Sequence, residues 1–263
     1  MWPMPALAHK FVSVIFTPDD LMCCWLDSSA LSPISTLFQS GSPLKGTENG
    51  VKRADREKQL VLRAYKKYPL DNLELANLIL FNPTVIKKYI TAFLSEHDLS
   101  DAFVAFALHG PAVHEEFVTL PTSTPHRSDF TVSNSASMLW EYRYVYPRDD
   151  GQFVFYVYSV PRFVVLQYEL LAVAVQCNLI TMTTQTMALL SAYEHMFGSA
   201  FRRSQLAIDM MECNNNIGDL ITADAVKRMV NMSSLSPAAR PECLEEVYRR
   251  IAASAGLFCS ERF

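Results

Sequence analysis

Basic side chains between residues 52 and 67 form the clearest chemical pattern in this sequence. The segment is predicted to be a helix, and its long polar side chains fall within a stripe about 100° wide. The stripe consists of Lys52, Arg56, Gln59, Arg63, Lys66 and Lys67, and a nearby predicted helix adds Lys87 and Lys88. Its cations could bind phosphates of RNA or of an anionic membrane. The alternative is an ordinary solvated face, because Asp55 and Glu57 dilute the positive charge.

A glycine-rich loop over residues 41–47, GSPLKGT, has the glycine spacing of a phosphate-binding loop. The order of its residues does not fit, because Lys45 precedes the second glycine and Thr47 occupies the lysine position. No buried strand is predicted before it. We therefore predict no nucleotide and no other cofactor.

Histidines and carboxylates cluster in the segment His109–Glu116. Gly110 and Pro111 break any helix between His109 and His114, so the spacing of a helical zinc site is absent. The sequence also contains no G-x-S-x-G nucleophile motif. We predict no metal site, no catalytic residues and no enzymatic activity; an enzyme whose site is assembled from scattered residues remains an alternative.

Aromatic side chains mark a β-hairpin in the middle of the chain. Over Met138–Tyr146, aromatic residues at even positions alternate with polar or β-branched ones, and a five-residue turn leads to the apolar segment Gln152–Val160. The aromatic face, which includes Trp140, Tyr142, Tyr144 and Tyr146, could stack exposed bases. The alternative is a hairpin that is covered on both faces.

Methionines enrich the predicted helices after residue 180. They are Met182, Met187, Met196, Met210, Met211, Met229 and Met232. Methionine fills cores and also suits adaptable protein surfaces, so this half of the chain favours either a core or self-association.

These features are distributed over predicted elements that are mostly helical. Helices are predicted over residues 19–31, 52–67, 71–81, 82–95, 101–109, 162–178, 182–197, 200–213, 218–232 and 240–254, with a short strand over 11–16. The predicted fold is mainly α, with minor α+β content, and consists of two helical units around a central aromatic β-hairpin. The predicted divisions are a helical unit with the basic helix (1–118), a Ser/Thr/Pro-rich linker (119–137), and the hairpin with a C-terminal helical unit (138–263).

Composition and cysteine spacing limit the class of the protein and its cellular location. The 263 residues are 50% hydrophobic with a net charge of −4, which disfavours a strongly basic nucleic-acid binder. The six cysteines show no C-x-x-C spacing, which indicates reduced thiols. The sequence shows no signal peptide and no uninterrupted membrane span. We predict an intracellular protein of the cytoplasm or nucleus.

Together these patterns predict a non-enzymatic structural or interaction protein. In the main hypothesis it self-associates and contacts RNA or an anionic membrane through the basic helix, as viral matrix and nucleocapsid proteins do; this is an analogy of class only. The alternative is a monomeric helical adaptor or regulator of protein partners. Assembly predicts concentration-dependent oligomers and an affinity for nucleic acid or anionic lipid that falls with salt, whereas an adaptor predicts a clean monomer or dimer with neither property.

Overall fold

The computed structural model describes residues 10–27, 60–131, 137–197, 203–235 and 245–260. The strands are β1 (Phe11–Phe16), β2 (Asp20–Asp27), β3 (Leu60–Pro69), β4 (Leu75–Ala76), β5 (Ile79–Leu80), β6 (Phe103–Leu108), β7 (His114–Leu120), β8 (Met138–Pro147), β9 (Phe153–Pro161), β10 (Asn178–Thr184) and β11 (Val230–Asn231). The helices are α1 (Pro83–Glu96), α2 (Arg162–Val175), α3 (Gln185–Phe197), α4 (Arg203–Glu212), α5 (Ala223–Met229) and α6 (Glu245–Ser260). Helices and strands contain similar numbers of residues, so the prediction of a mainly α fold is wrong.

Six strands form one mixed sheet in the order β10-β6-β1-β2-β3-β11. Strands β1, β2 and β3 form an antiparallel meander, whereas β6 pairs parallel to β1 and β10 pairs parallel to β6. The short strand β11 pairs parallel to β3. The sheet therefore takes strands from both predicted units, 1–118 and 138–263, and the hairpin does not separate two helical units.

The aromatic hairpin is confirmed as β8 and β9, which join β7 in a three-stranded antiparallel sheet of order β7-β9-β8. Trp140, Tyr142 and Tyr144 share one face, as the alternation predicts. A shift of register between Tyr144 and Tyr146 turns Tyr146 into the main core instead. Strand β7 extends to Leu120, inside the segment predicted as a linker.

The errors in secondary structure concentrate in the first half of the chain. Strands β2 and β6 are almost entirely buried, and their near-continuous apolar sequences lack the alternation of a half-exposed strand. Both were predicted as helices. The predicted basic helix also fails: from Leu60 onward it is β3, in which buried Leu60, Leu62 and Ala64 alternate with more exposed residues. Helices α1 and α2 are confirmed close to their predicted bounds.

The two faces of the six-stranded sheet are covered by different helices. Residues such as Ile15 and Met22 point into a core with α3 and α6, whereas Val14 and Phe16 point into a second core with α1 and α2. No helix within the described segments is both long and apolar enough to cross a membrane.

Helix α6 is attached to the sheet by a close helix contact and by buried charges. A Cβ added to Gly256 would lie 1.8 Å from the carbonyl oxygen of Ala188 on α3, so only glycine permits this approach. Arg250, which is 5% exposed, donates to Asp20 at the start of β2, and Lys67 Nζ lies 2.8 Å from Asp20 Oδ2. Burial by itself raises the pKa of Asp20, but Lys67 and Arg250 together hold that pKa below its usual value.

Candidate functional site

The predicted basic stripe becomes a set of ion pairs on a strand. Lys52 and Arg56 lie outside the described residues. The three stripe residues on β3 pair with carboxylates at 2.7–2.8 Å: Arg63 with Asp27, Lys66 with Glu96, and Lys67 with Asp20. Lys87 and Lys88 lie on the exposed side of α1. The structure thus does not assemble these cations into one helical face, and three of them already neutralise acids of the chain.

The other sequence candidates are also dispersed. The GSPLKGT loop lies outside the described residues. His109 follows β6 and His114 begins β7, and within the described segments no three His, Cys, Asp or Glu side chains converge on a point where a metal ion could bind.

The aromatic face of the hairpin is covered by the segment that precedes it. Phe130 stacks on Tyr142 with ring centroids 4.4 Å apart, and the Tyr142 hydroxyl donates to the carbonyl of Pro125 at 3.1 Å. The Arg127 guanidinium lies 4.6 Å from the ring centroid of Trp140. Because these rings already have partners, the face is a small aromatic core rather than an open platform for bases.

A groove of about 720 Å³ lies between the three-stranded sheet and the carboxyl ends of β6 and β10. Its lining comprises Leu108, Arg127, Ser128, Phe130, Met138, Leu139, Trp140, Glu141, Tyr158, Val160, Arg162, Val165, Met182, Thr183 and Thr184. Its volume falls in the range of ligand pockets, and the carboxyl ends of parallel strands are where open α/β sheets bind ligands. We call this cavity the groove.

A second cavity of about 290 Å³ shares Glu141 and Tyr158 with the groove and extends it along β8. Its far wall holds Arg143, which donates to Ser191 Oγ at 3.0 Å and pairs with Glu194 on α3. Both cavities lie along β8. In the described part of the chain β8 pairs with β9 alone, so it is an edge strand. The combined shape suits an elongated ligand.

Tyr158 of β9 lines both cavities, and its ring stacks on that of Tyr156, with the ring centroids 5.6 Å apart. Tyr158 donates to Glu141 Oε2 at 3.0 Å, and Tyr156 donates to Glu115 Oε1 at 2.5 Å. Burial, and secondarily the neighbouring carboxylate, raises the pKa of each phenol well above its usual value. Both hydroxyls therefore stay protonated and act as donors at every physiological pH.

The N-terminus of α3 lies at the carboxyl end of β10, where many α/β proteins bind a phosphate. Thr184 Oγ1 accepts from the Met187 amide at 3.1 Å, and Thr186 donates to Glu115 Oε2 at 2.8 Å. The Glu115 carboxylate thus lies beside the first turn of α3, where the helix dipole favours a negative charge.

Helix α2 connects the groove to a large apolar surface. Its exposed face carries Phe163, Leu166, Leu170 and Val173, which are 53%, 53%, 59% and 73% exposed and follow helical spacing. Tyr168 and Leu171 on its opposite face are buried in the second core. We call the four exposed residues the α2 stripe. The sequence predicted a buried helix here because its apolar residues surround the whole circumference, and that pattern was the one available signal for this surface.

Neither a protein-family model nor a curated protein matches this chain. Among solved structures, one similar chain belongs to the PilM-PilN type IV pilus biogenesis complex, with 13% identity over 70% of this chain and 50% of that chain and a TM-score of 0.49. Another is the cytoplasmic domain of EpsL, an inner membrane component of the type II secretion system of Vibrio cholerae, with 8% identity, 68% and 57% coverage and a TM-score of 0.36. This chain thus spans less than two thirds of either chain that it matches.

The hypothesis of a viral matrix- or nucleocapsid-like protein is wrong. From Leu60 onward the predicted basic helix on which the analogy depended is a strand, and its described cations are neutralised. The adaptor alternative fits these findings better than the main hypothesis.

Proposed function

We propose that this protein is a non-enzymatic adaptor that binds a protein partner through the groove and the adjoining α2 stripe. The observation that supports this most is the continuity of the two surfaces. Arg162 and Val165 on the first turns of α2 line the groove, and Phe163 and Leu166 on the same turns begin the stripe. Exposed apolar surface of this kind usually marks a protein interface.

The shape of the surface favours a polypeptide over a small metabolite. Small-molecule sites enclose most of their ligand, whereas the groove is partly open to solvent and continues into a second cavity along β8. An extended segment can lie in such a groove beside an edge strand, while a folded part of the same partner covers the stripe.

Free thiols support an intracellular setting for this role. The described cysteines Cys23, Cys24, Cys177 and Cys213 are all reduced, and the first two are fully buried in the sheet. Burial raises the pKa of the Cys24 thiol to about 12, so it behaves as a small apolar residue.

A library of displayed random dodecapeptides tests the proposal. We expect the purified protein to select peptides whose affinity falls at least about tenfold in Leu139→Glu, which places a charge at the mouth of the groove. Leu73→Glu is the matched control, because Leu73 is 80% exposed and lies outside both the groove and α2. Failure to select any peptide above background, or equal weakening by both variants, would contradict the proposal.

The stripe is tested separately with the double variant Leu166→Glu/Leu170→Glu. We expect it to keep the dodecapeptide affinity, because a short segment fills only the groove, and to lose binding of a complete partner once one is identified. Circular dichroism and thermal unfolding should match the wild type, since both leucines are more than half exposed.

A further inference from the structure

Two arginines line the groove. Arg127 belongs to a short 3-10 turn, and its guanidinium both stacks on Trp140 and donates to the Trp140 carbonyl at 2.8 Å. Arg162 is the first residue of α2 and is exposed. The stacking fixes the position of Arg127 before any ligand arrives, which lowers the entropic cost of binding.

Neither arginine joins an ion pair with the described residues. Other arginines near the hairpin do, since Arg143 pairs with Glu194 and Arg148 Nη2 lies 3.3 Å from Asp150 Oδ2. Among the described residues of the lining, the one carboxylate is Glu141, and its Oε2 accepts from Tyr158 rather than from an arginine. Two cations therefore face one acid in the lining, although the whole chain has a net charge of −4.

The positive charge of the two arginines lies in a cavity that also has apolar lining residues. Apolar side chains of Met138, Val160, Val165 and Met182 form an apolar wall in the same cavity as the two arginines. An apolar wall beside two guanidinium groups suits an amphipathic segment better than a phosphate backbone, which would leave that wall exposed to water.

We infer that Arg127 and Arg162 bind the carboxylate of an Asp or Glu side chain within an otherwise apolar, extended segment of the partner. Arginine binds carboxylates through paired, charge-assisted hydrogen bonds, so the acidic residue would fix the register of the segment along β8. This inference depends on the proposed function, because it names the partner chemistry of the same groove.

The same dodecapeptide library provides the test. On the wild-type protein we expect one position of the selected peptides to be enriched in Asp or Glu, and replacing that residue by Gln or Asn should weaken binding by roughly tenfold or more. The charge-reversed variant Arg127→Glu/Arg162→Glu should lose this preference and select Lys or Arg at that position. Arg162→Glu alone should show part of the effect, and it leaves the Arg127–Trp140 contact intact should the double variant fold poorly.

The control Arg148→Glu/Lys227→Glu carries the same change in net charge outside the groove and should keep the acidic preference. Selected peptides without an acidic preference, or a preference that survives in Arg162→Glu and the double variant, would overturn the inference and leave the proposed function intact. If no peptide is selected above background, both the proposed function and this inference are contradicted. Displacement of the bound acidic peptide by an RNA oligonucleotide as effectively as by unlabelled peptide would overturn the assignment to a protein carboxylate.

Discussion

The two faces of the six-stranded sheet are covered in contrasting ways. Helix α6 lies against one face with small residues, since Ala252, Ala253, Ala255 and Gly256 allow it to approach α3 closely. Helix α2 lies against the other face with large apolar residues on both of its sides, and only one side is buried. The chain thus completes its own core around α6 but leaves a contiguous apolar surface on α2 exposed, as protein interfaces usually are before binding.

Charge distinguishes the two helices in the same way. Arg250 on α6 is buried and paired with Asp20, a contact between residues that are far apart in the sequence. Arg162 on α2 is exposed at the groove. The first charge fixes a helix within the fold, whereas the second is available to a ligand.

The largest expected effect comes from removing the buried charge partner on the α6 side. Asp20→Ala leaves Arg250 buried without its carboxylate on β2, so we expect a loss of about 4 kcal/mol in the free energy of unfolding, measured with urea at neutral pH. Asp101→Ala should change little, because Asp101 is 69% exposed in its pair with Lys10.

The loss of unfolding free energy caused by Asp20→Ala should become smaller at low pH. The pKa of Asp20 is lowered in the folded state, so its stabilisation is complete above the unfolded value of about 4 and is lost as the pH falls through the folded value. The stability difference between wild type and Asp20→Ala should therefore narrow toward low pH. A difference that is independent of pH would contradict the role assigned to the Asp20 carboxylate.

Adjacent leucines on α2 test whether its two sides differ as the structure indicates. Leu171 is 2% exposed and Leu170 is 59% exposed. We expect Leu171→Ala to cost about 3 kcal/mol of unfolding free energy through lost packing and a residual cavity. Leu170→Ala should change it by only about 0.5 kcal/mol or less. Equal losses at both positions, measured by urea unfolding, would show that the stripe is covered within the chain itself.

Disrupting the close contact between α6 and α3 should cause the smallest of the three losses of unfolding free energy. In Gly256→Ala the new methyl group forces the helices apart, and we expect a cost of about 2 kcal/mol, measured as a lowered thermal unfolding temperature. Ala92→Leu adds more volume at an exposed position of α1 and should have almost no effect. A neutral Gly256→Ala would refute the tight packing of these two helices.

Local sequence patterns were sufficient for part of the molecule. Alternation over Met138–Tyr146 predicted the hairpin, and Asn82 and Pro83 predicted the start of α1. They failed where strands are buried on both faces, as in β2, because a continuous apolar segment lacks any period that distinguishes strand from helix.

The groove could not be derived from the sequence, because its charged residues are separated along the chain. Arg127 and Arg162 belong to different elements, and only the pairing of β8 with β9 brings Trp140 opposite Ser159 and both arginines to one cavity. The α2 stripe was visible as apolar composition, but the sequence could not show which side of the helix faces water.

By itself, the sequence determined the aromatic hairpin and the positions of α1 and α2, and it showed no familiar catalytic motif. The tertiary structure decided the mixed sheet, the pairing of Arg63, Lys66 and Lys67 with acids, and the position of the groove. The physical reason is that periodicity reports the surroundings of neighbouring residues, whereas charge pairing and cavities depend on residues that folding brings together from distant parts of the chain.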